Sequence, residues 1–295
     1  MRSFATERIR THPKKKRSPH QPNRRDNERM GIFRFRKFEV RNENSAMKVN
    51  TDGVLLGALM TINGNERRLL DIGTGTGTIA LMAAQRLSAA AWNHDDRKLS
   101  SGLFPSVELH GRLPGTMDFL VEAIDIDSAS AEEAGENFSN SPWAGHLKAH
   151  LCPLSMFRPD AEYDLIFSNP PFFTETLHSP SSRKAQARHA DALPTEEIMD
   201  FAASHLNEYG GLSLILPAER EAEAERTAAQ HGLRLSRIVR IQSSDRKPAY
   251  RAIMEFTRNT GQKTAVSQEN ITINMNGKYS EQYLDIVSDF LLLGD

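Results

Sequence analysis

Asn169-Pro170-Pro171-Phe172 joins an amide, two prolines and an aromatic ring in four consecutive positions. The tetrapeptide follows Asp164-Leu165-Ile166-Phe167-Ser168, which reads as a buried strand. Two prolines stiffen the turn and remove two backbone donors. The carbonyl of Pro170 is then a held acceptor, and the side-chain oxygen of Asn169 is a second. Two converging acceptors suit an NH₂ group with two protons. The lone pair of such an exocyclic amine is delocalised until both N–H bonds are held and the nitrogen becomes more tetrahedral. Acceptors placed for that geometry stabilise the charge that develops when the nitrogen attacks a sulfonium methyl group. The nitrogen can lose its proton after transfer, so no strong base is required. Phe172 offers a face for a flipped base. Asn169, Pro170, Pro171 and Phe172 are therefore the candidate catalytic residues. A rigid loop with a buried aromatic is the plain structural alternative.

A methyl donor needs its own site. Asp71-Ile72-Gly73-Thr74-Gly75-Thr76-Gly77 lies where a first strand should meet a first helix. Its G-x-G-x-G spacing is neither the dinucleotide fingerprint nor a Walker A loop, so a ligand without pyrophosphate fits better. S-adenosyl-L-methionine (AdoMet) is such a ligand. Gly73, Gly75 and Gly77 leave room for it beside the backbone, and Asp71 opens the turn. Asp125, at the end of the next strand, can accept from two ribose hydroxyls. Asp127 falls at a helix start and reads better as its cap.

These residues require a scaffold that brings strand ends together. Apolar runs at Leu69–Gly73, Leu120–Asp125, Leu147–Cys152, Asp164–Ser168 and Leu212–Leu216 read as strands. Helices are expected over Thr78–Leu87, Ser128–Asn140, Glu196–Glu208 (with Gly210-Gly211 as its stop) and Ala218–His231. Leu233–Gln242 and Ala249–Arg258 read as an antiparallel pair. The alternation predicts an α/β fold with a doubly wound, mostly parallel, seven-stranded sheet of Rossmann-like type. Upstream, Phe33, Phe35, Phe38 and Val40 predict short extended segments, and Val54–Leu59 a helix capped by Thr51 or Asp52. Residues 88–118 read as a polar inserted loop, and residues 1–29 as a disordered basic arm before a domain over 30–295.

Composition narrows the class. A single cysteine, Cys152, rules out an intrachain disulfide and fits a cytoplasmic protein. No apolar run reaches membrane-spanning length, scattered histidines form no metal constellation, and nothing implies an obligate protein partner. The net charge of −1 hides an asymmetry: residues 1–29 hold ten Lys/Arg and three Asp/Glu, a balance of +7, which leaves −8 for the rest. An acidic body argues against a large nonspecific nucleic-acid surface but allows local basic patches. Arg234, Arg237 and Arg240 sit three apart and read as an exposed face.

The glycine turn and the Asn169 motif together resemble the class I AdoMet methyltransferases that methylate amino groups. The motif by itself leaves adenine N6, guanine N2 and glutamine N5 open as targets. The chain more specifically resembles the bacterial valine-tRNA adenine-N6 methyltransferases, which modify the adenine beside the anticodon. That resemblance runs from about Phe33 to the C-terminus, apart from 88–118. It rests on Ala46–Gly53 with Leu55-Leu56-Gly57, on Glu136-Asn137 with Asn140–Ala144, on Arg183 and Ala187-Arg188, and on Tyr279-Ser280-Glu281. It implies AdoMet contacts from the Lys48–Gly53 stretch, Thr51 included, and from Asp71, Gly73 and Asp125. It also implies a target adenine held by Asn169, Pro170 and Phe172, with Asn169 counted among the cofactor-binding residues as well. Arg183 and Arg188 are then candidates for tRNA phosphates, although a solvated polar loop explains them equally. The chain departs from the family near Cys152-Pro153-Leu154, where no acid is present to read the cofactor adenine. The rival targets are a release-factor glutamine and a ribosomal-RNA guanine. The rival class is a silent RNA-binding relative, against which the intact Asn169 and glycine turn argue.

Overall fold

The computed structural model describes residues 31–100, 118–171, 194–261 and 265–293, with the backbone alone over 91–100. The chain begins with a small antiparallel hairpin, β1 (Ile32–Arg34) and β2 (Glu39–Arg41), then α1 (Thr51–Leu59). The alternation follows: β3 (Arg68–Ile72), α2 (Thr78–Ser100), β4 (Leu120–Asp125), α3 (Ser128–Ser139), β5 (Leu147–Leu151) and β6 (Tyr163–Ser168). Then come α4 (Thr195–His205), β7 (Leu206–Pro217), α5 (Glu221–Gln230), β8 (Leu233–Ser244) and β9 (Ala249–Arg258). The last elements are β10 (Ser267–Met275), β11 (Lys278–Tyr279) and α6 (Glu281–Val287).

The main sheet has the order β11-β10-β8-β9-β7-β6-β3-β4-β5. The expected seven strands are its contiguous part from β8 to β5. Six run in one direction, and β9 alone runs antiparallel, between β7 and β8. Two further strands, β10 and β11, extend the sheet to nine. Their sequence, polar on one face with Ile271 and Ile273 on the other, alternates too briefly to stand out.

Strand residues alternate between two cores, as a sheet covered on both faces demands. Leu69, Val121, Ala123, Leu165 and Phe167 join α1, α2, α3 and α6 in one core. Leu70, Ile72, Ile124 and Ile166 join α4 and α5 in the other. The sheet is thus doubly wound.

Four local expectations change. Helix α2 continues to Ser100, so residues 88–100 are helical rather than loop, carried by the helix-forming run Ser88-Ala89-Ala90-Ala91. Helix α4 stops at His205, and Gly210-Gly211 lies inside β7. A Cβ on Gly210 would approach the carbonyl oxygen of Tyr163 at 2.7 Å, so this glycine permits close strand pairing beside a register shift instead of ending a helix. Asn50 caps α1, its side chain accepting from the N–H of Gly53 at 2.8 Å, in place of Thr51 or Asp52. Residues 218–220 form a 3₁₀ turn ahead of α5. The arm 1–29 and residues 101–117 of the inserted segment lie outside the described residues.

Candidate active site

Strand register assembles the site. Ile72 of β3 pairs with Ile124 of β4 on one side and with Ser168 of β6 on the other. Gly73, Asp125 and Asn169 are the next residues on those three strands. They therefore emerge side by side at the carboxyl edge of the sheet, about 5 Å apart per strand. The Ser168 hydroxyl donates to the Ile72 carbonyl at 2.7 Å and ties the two strand ends together.

The three glycines of the turn all have positive φ, at 72° for Gly73, 56° for Gly75 and 79° for Gly77. A Cβ at Gly77 would meet the Phe138 ring at 2.5 Å, so this glycine lets α2 approach α3. One at Gly75 would meet the Met47 carbonyl oxygen at 3.2 Å. One at Gly73 would meet nothing within 4 Å. Of the three, Gly73 thus faces open space, the room that a ligand against the backbone needs.

Asp71 is fully buried. The Thr74 hydroxyl donates to its Oδ2 at 2.7 Å, while Oδ1 has no hydrogen-bond partner of normal geometry among the described residues. Burial pushes the carboxyl up to about 7; the nearby Asp125 adds to the rise and the Thr74 hydrogen bond opposes it. Asp125 is held by two backbone donors, the N–H of Gly75 at 2.9 Å on Oδ2 and that of Asp127 at 2.9 Å on Oδ1. Burial raises its pKa as well, and these two N–H groups work against the rise. Each oxygen keeps a further lone pair, so the carboxylate is oriented yet able to accept from a diol. Asp127 caps α3, accepting from the N–H of Ser130 at 2.9 Å. An orphaned buried acceptor, an open glycine and an oriented carboxylate fit the cationic amino acid and the ribose of AdoMet.

Asn169 is 5% exposed, and its amide nitrogen donates to Met47 Sδ at 3.5 Å. Pro170 is buried and Pro171 exposed. Phe172, Arg183 and Arg188 lie outside the described residues. No group donates to the Pro170 carbonyl among the described residues. Lys48 and Thr51 are exposed on the loop and helix start that follow Met47. Near Cys152, the strand end offers backbone and apolar surface: Cys152 N–H donates to the Asp125 carbonyl at 2.9 Å, and Ile126 and Leu151 are exposed.

Sequence reasoning missed the strap that holds Met47 in place. Glu133 of α3 is 2% exposed and accepts from the N–H groups of Glu43 (2.5 Å), Asn44 (2.7 Å) and Ser45. The Ser130 hydroxyl accepts from Ala46 N–H at 3.1 Å. Asn137 accepts from Arg41 N–H at 2.7 Å and donates to the Arg41 carbonyl at 3.0 Å and to the Thr76 carbonyl at 2.9 Å. It joins the hairpin to the glycine turn. Ser130, Glu133 and Asn137 recur at helical spacing on the face that also buries Ala134 and Phe138. That polar stripe on an apolar face was the available signal. Trp143 packs edge-on against Phe38 at 5.8 Å, anchoring the same hairpin.

A doubly wound sheet with this turn and motif at its carboxyl edge defines an AdoMet-dependent class I methyltransferase. The model of the RMKL-like methyltransferase domain matches residues 57–245. A tRNA1(Val) (adenine(37)-N6)-methyltransferase from Flavobacterium psychrophilum is 35% identical over 264 residues, covering 88% of this chain and 99% of the relative. Its counterpart from Photobacterium profundum is 33% identical over 263 residues, covering 88% and 98%. The chain belongs to this tRNA1(Val) (adenine(37)-N6)-methyltransferase family. Among solved structures, a predicted O-methyltransferase from Agrobacterium tumefaciens has a TM-score of 0.53 at 16% identity over 81% of this chain and 96% of that one, which supports the fold.

Proposed function

We propose that the protein methylates N6 of the adenine beside the anticodon of a valine tRNA, in the cytoplasm. The observation that carries this reading is the shared register layer at Ile72, Ile124 and Ser168, which sets Asn169 beside the open face of Gly73. The names of the relatives supply the nucleotide.

AdoMet, when bound, supplies a sulfonium methyl group. Asp71, Gly73 and Asp125 hold its amino-acid and ribose portions, with Gly75 and Gly77 shaping the turn. Lys48 and Thr51, exposed on the loop and helix start after Met47, add further cofactor contacts. The exposed Ile126 offers an apolar surface for the cofactor adenine, which answers the lack of an acid near Cys152. Asn169 and the Pro170 carbonyl accept the two N–H bonds of the target amine, Pro171 stiffens the turn and Phe172 stacks on the base. Arg183 and Arg188 contribute phosphate contacts. Residues 30–295 form one catalytic domain behind a basic arm at 1–29.

The test offers labelled AdoMet in parallel to unmodified valine tRNA, ribosomal RNA and release factor, with mass mapping of the products. Label in N6-methyladenosine beside the anticodon is expected. Label in a guanine or a glutamine overturns the proposed target.

A further inference from the structure

The carboxyl edge of the sheet extends well beyond the methylation site. Strand β8 is parallel to β7 and β10 is parallel to β8, so both finish at the edge that carries Gly73 and Asn169. Two turns project there. The β8–β9 turn holds Asp245, Arg246, Lys247 and Pro248, all exposed. The β10–β11 turn is a two-residue hairpin whose Asn276 and Gly277 have φ of 52° and 78°, and Lys278 follows it, paired with Met275.

The turns are locked together. Asp245 N–H donates to the Asn274 carbonyl at 3.2 Å, and the Asn274 side chain donates to the Ser243 carbonyl at 2.9 Å. Gln242 donates to the Lys247 carbonyl at 2.9 Å. Arginines lower on the sheet are neutralised: Arg237 pairs with Glu255 and Glu269, and Arg240 with Glu221. Arg251, nearer the turn, pairs with Asp52. Arg246, Lys247 and Lys278 differ. All three are exposed, and among the described residues none has a carboxylate partner. Asp245 is the one acid in the two turns. Cations left unpaired on a body of net charge −8 form a local positive rim. Exposed Met275 and Tyr279 lie among them, a mix of apolar, aromatic and basic surface suited to nucleic acid.

We propose that Arg246, Lys247 and Lys278 form a docking rim for phosphates of the tRNA substrate's anticodon stem. The proposal rests on the tRNA reading above. From β6, which carries Asn169, the rim lies three strands away at β8 and four at β10, roughly 14–19 Å at ~4.8 Å per strand. That is on the order of five base steps at ~3.4 Å each. A base flipped at Asn169 thus leaves the adjoining stem over the rim. The phosphates fix the register of the stem, and the motif reads the base.

The test compares three full-length proteins: wild type, R246Q/K247Q/K278Q, and a control, R67Q/K148Q/R226Q. The control removes the same charge at positions away from the two turns. Affinity for unmodified valine tRNA is measured across a salt series, together with AdoMet affinity and methylation kinetics. Loss of three phosphate contacts should weaken tRNA binding by about tenfold or more and flatten the log–log salt slope by about 2. AdoMet affinity and kcat at saturating tRNA should stay at wild-type values in the rim variant. The rim is overturned if that variant keeps the wild-type affinity and slope, or if the control loses as much. Wild-type protein that neither binds nor methylates tRNA overturns the substrate reading itself, and the rim with it.

Discussion

In the proposed reaction Asn169 meets the target amine and Asp71 the cofactor, so their variants should separate accordingly. Asn169→Ala removes one acceptor that acts mainly in the transition state. Single-turnover methylation should fall about 10²–10³-fold while calorimetry finds AdoMet affinity little changed; near-normal turnover would remove the acceptor role. Asp71 carries a pH prediction. Its carboxyl, ordinarily at 3.8, is raised to about 7 by burial. The free folded protein therefore binds more protons than the unfolded chain between these values. Its contribution to stability is full below 3.8 and is lost as pH rises through 7. A cationic ligand has the opposite preference and selects the carboxylate. AdoMet affinity should weaken from pH 7.5 to 5.5, by up to about tenfold per unit below 7. Asp71→Asn should flatten that dependence and stabilise the ligand-free protein at pH 7.5. A titration in which the variant keeps the wild-type slope would assign the pH effect to another group.

At the scale of elements, α3 is the frame on which the cofactor side is built. Its apolar positions pack into the core while Ser130, Glu133 and Asn137 fasten residues 41–46 and the glycine turn. Glu133→Ala strands three backbone donors next to the core and should cost about 3 kcal/mol. Urea unfolding should show a lower midpoint at unchanged slope, with weaker AdoMet binding because Met47 is no longer held against Gly75 and Asn169. Glu133→Gln keeps one acceptor oxygen and should lose less. Equal loss in both variants would point to the charge rather than the hydrogen bonds. The helix was readable from its periodicity, and its Asp127 cap from position. The strap was not, because its donors lie about 90 residues earlier and are backbone groups that any sequence supplies.

For the whole molecule, the C-terminal extension completes the core. Ile271, Ile273, Tyr283, Val287 and Phe290 join the cluster formed by Phe35, α1 and α2. Ending the chain after Asn259 should uncover that surface and abolish cooperative thermal unfolding; a truncated protein that melts cooperatively near the wild-type temperature would show the extension to be dispensable. The sequence by itself determined the strand–helix alternation, the antiparallel β8–β9 pair and the position of Asn169-Pro170-Pro171 and the glycine turn at strand ends. Those depend on local periodicity and on residue types whose properties travel with them. Only the tertiary structure decided that β10 and β11 widen the sheet, that Gly210-Gly211 lies within a strand, and that Glu133 holds the loop beside the site. It also decided which cations stay unpaired at the sheet edge. Each of these depends on which distant segment comes to lie alongside, and strand register and ion pairing across the sheet set that.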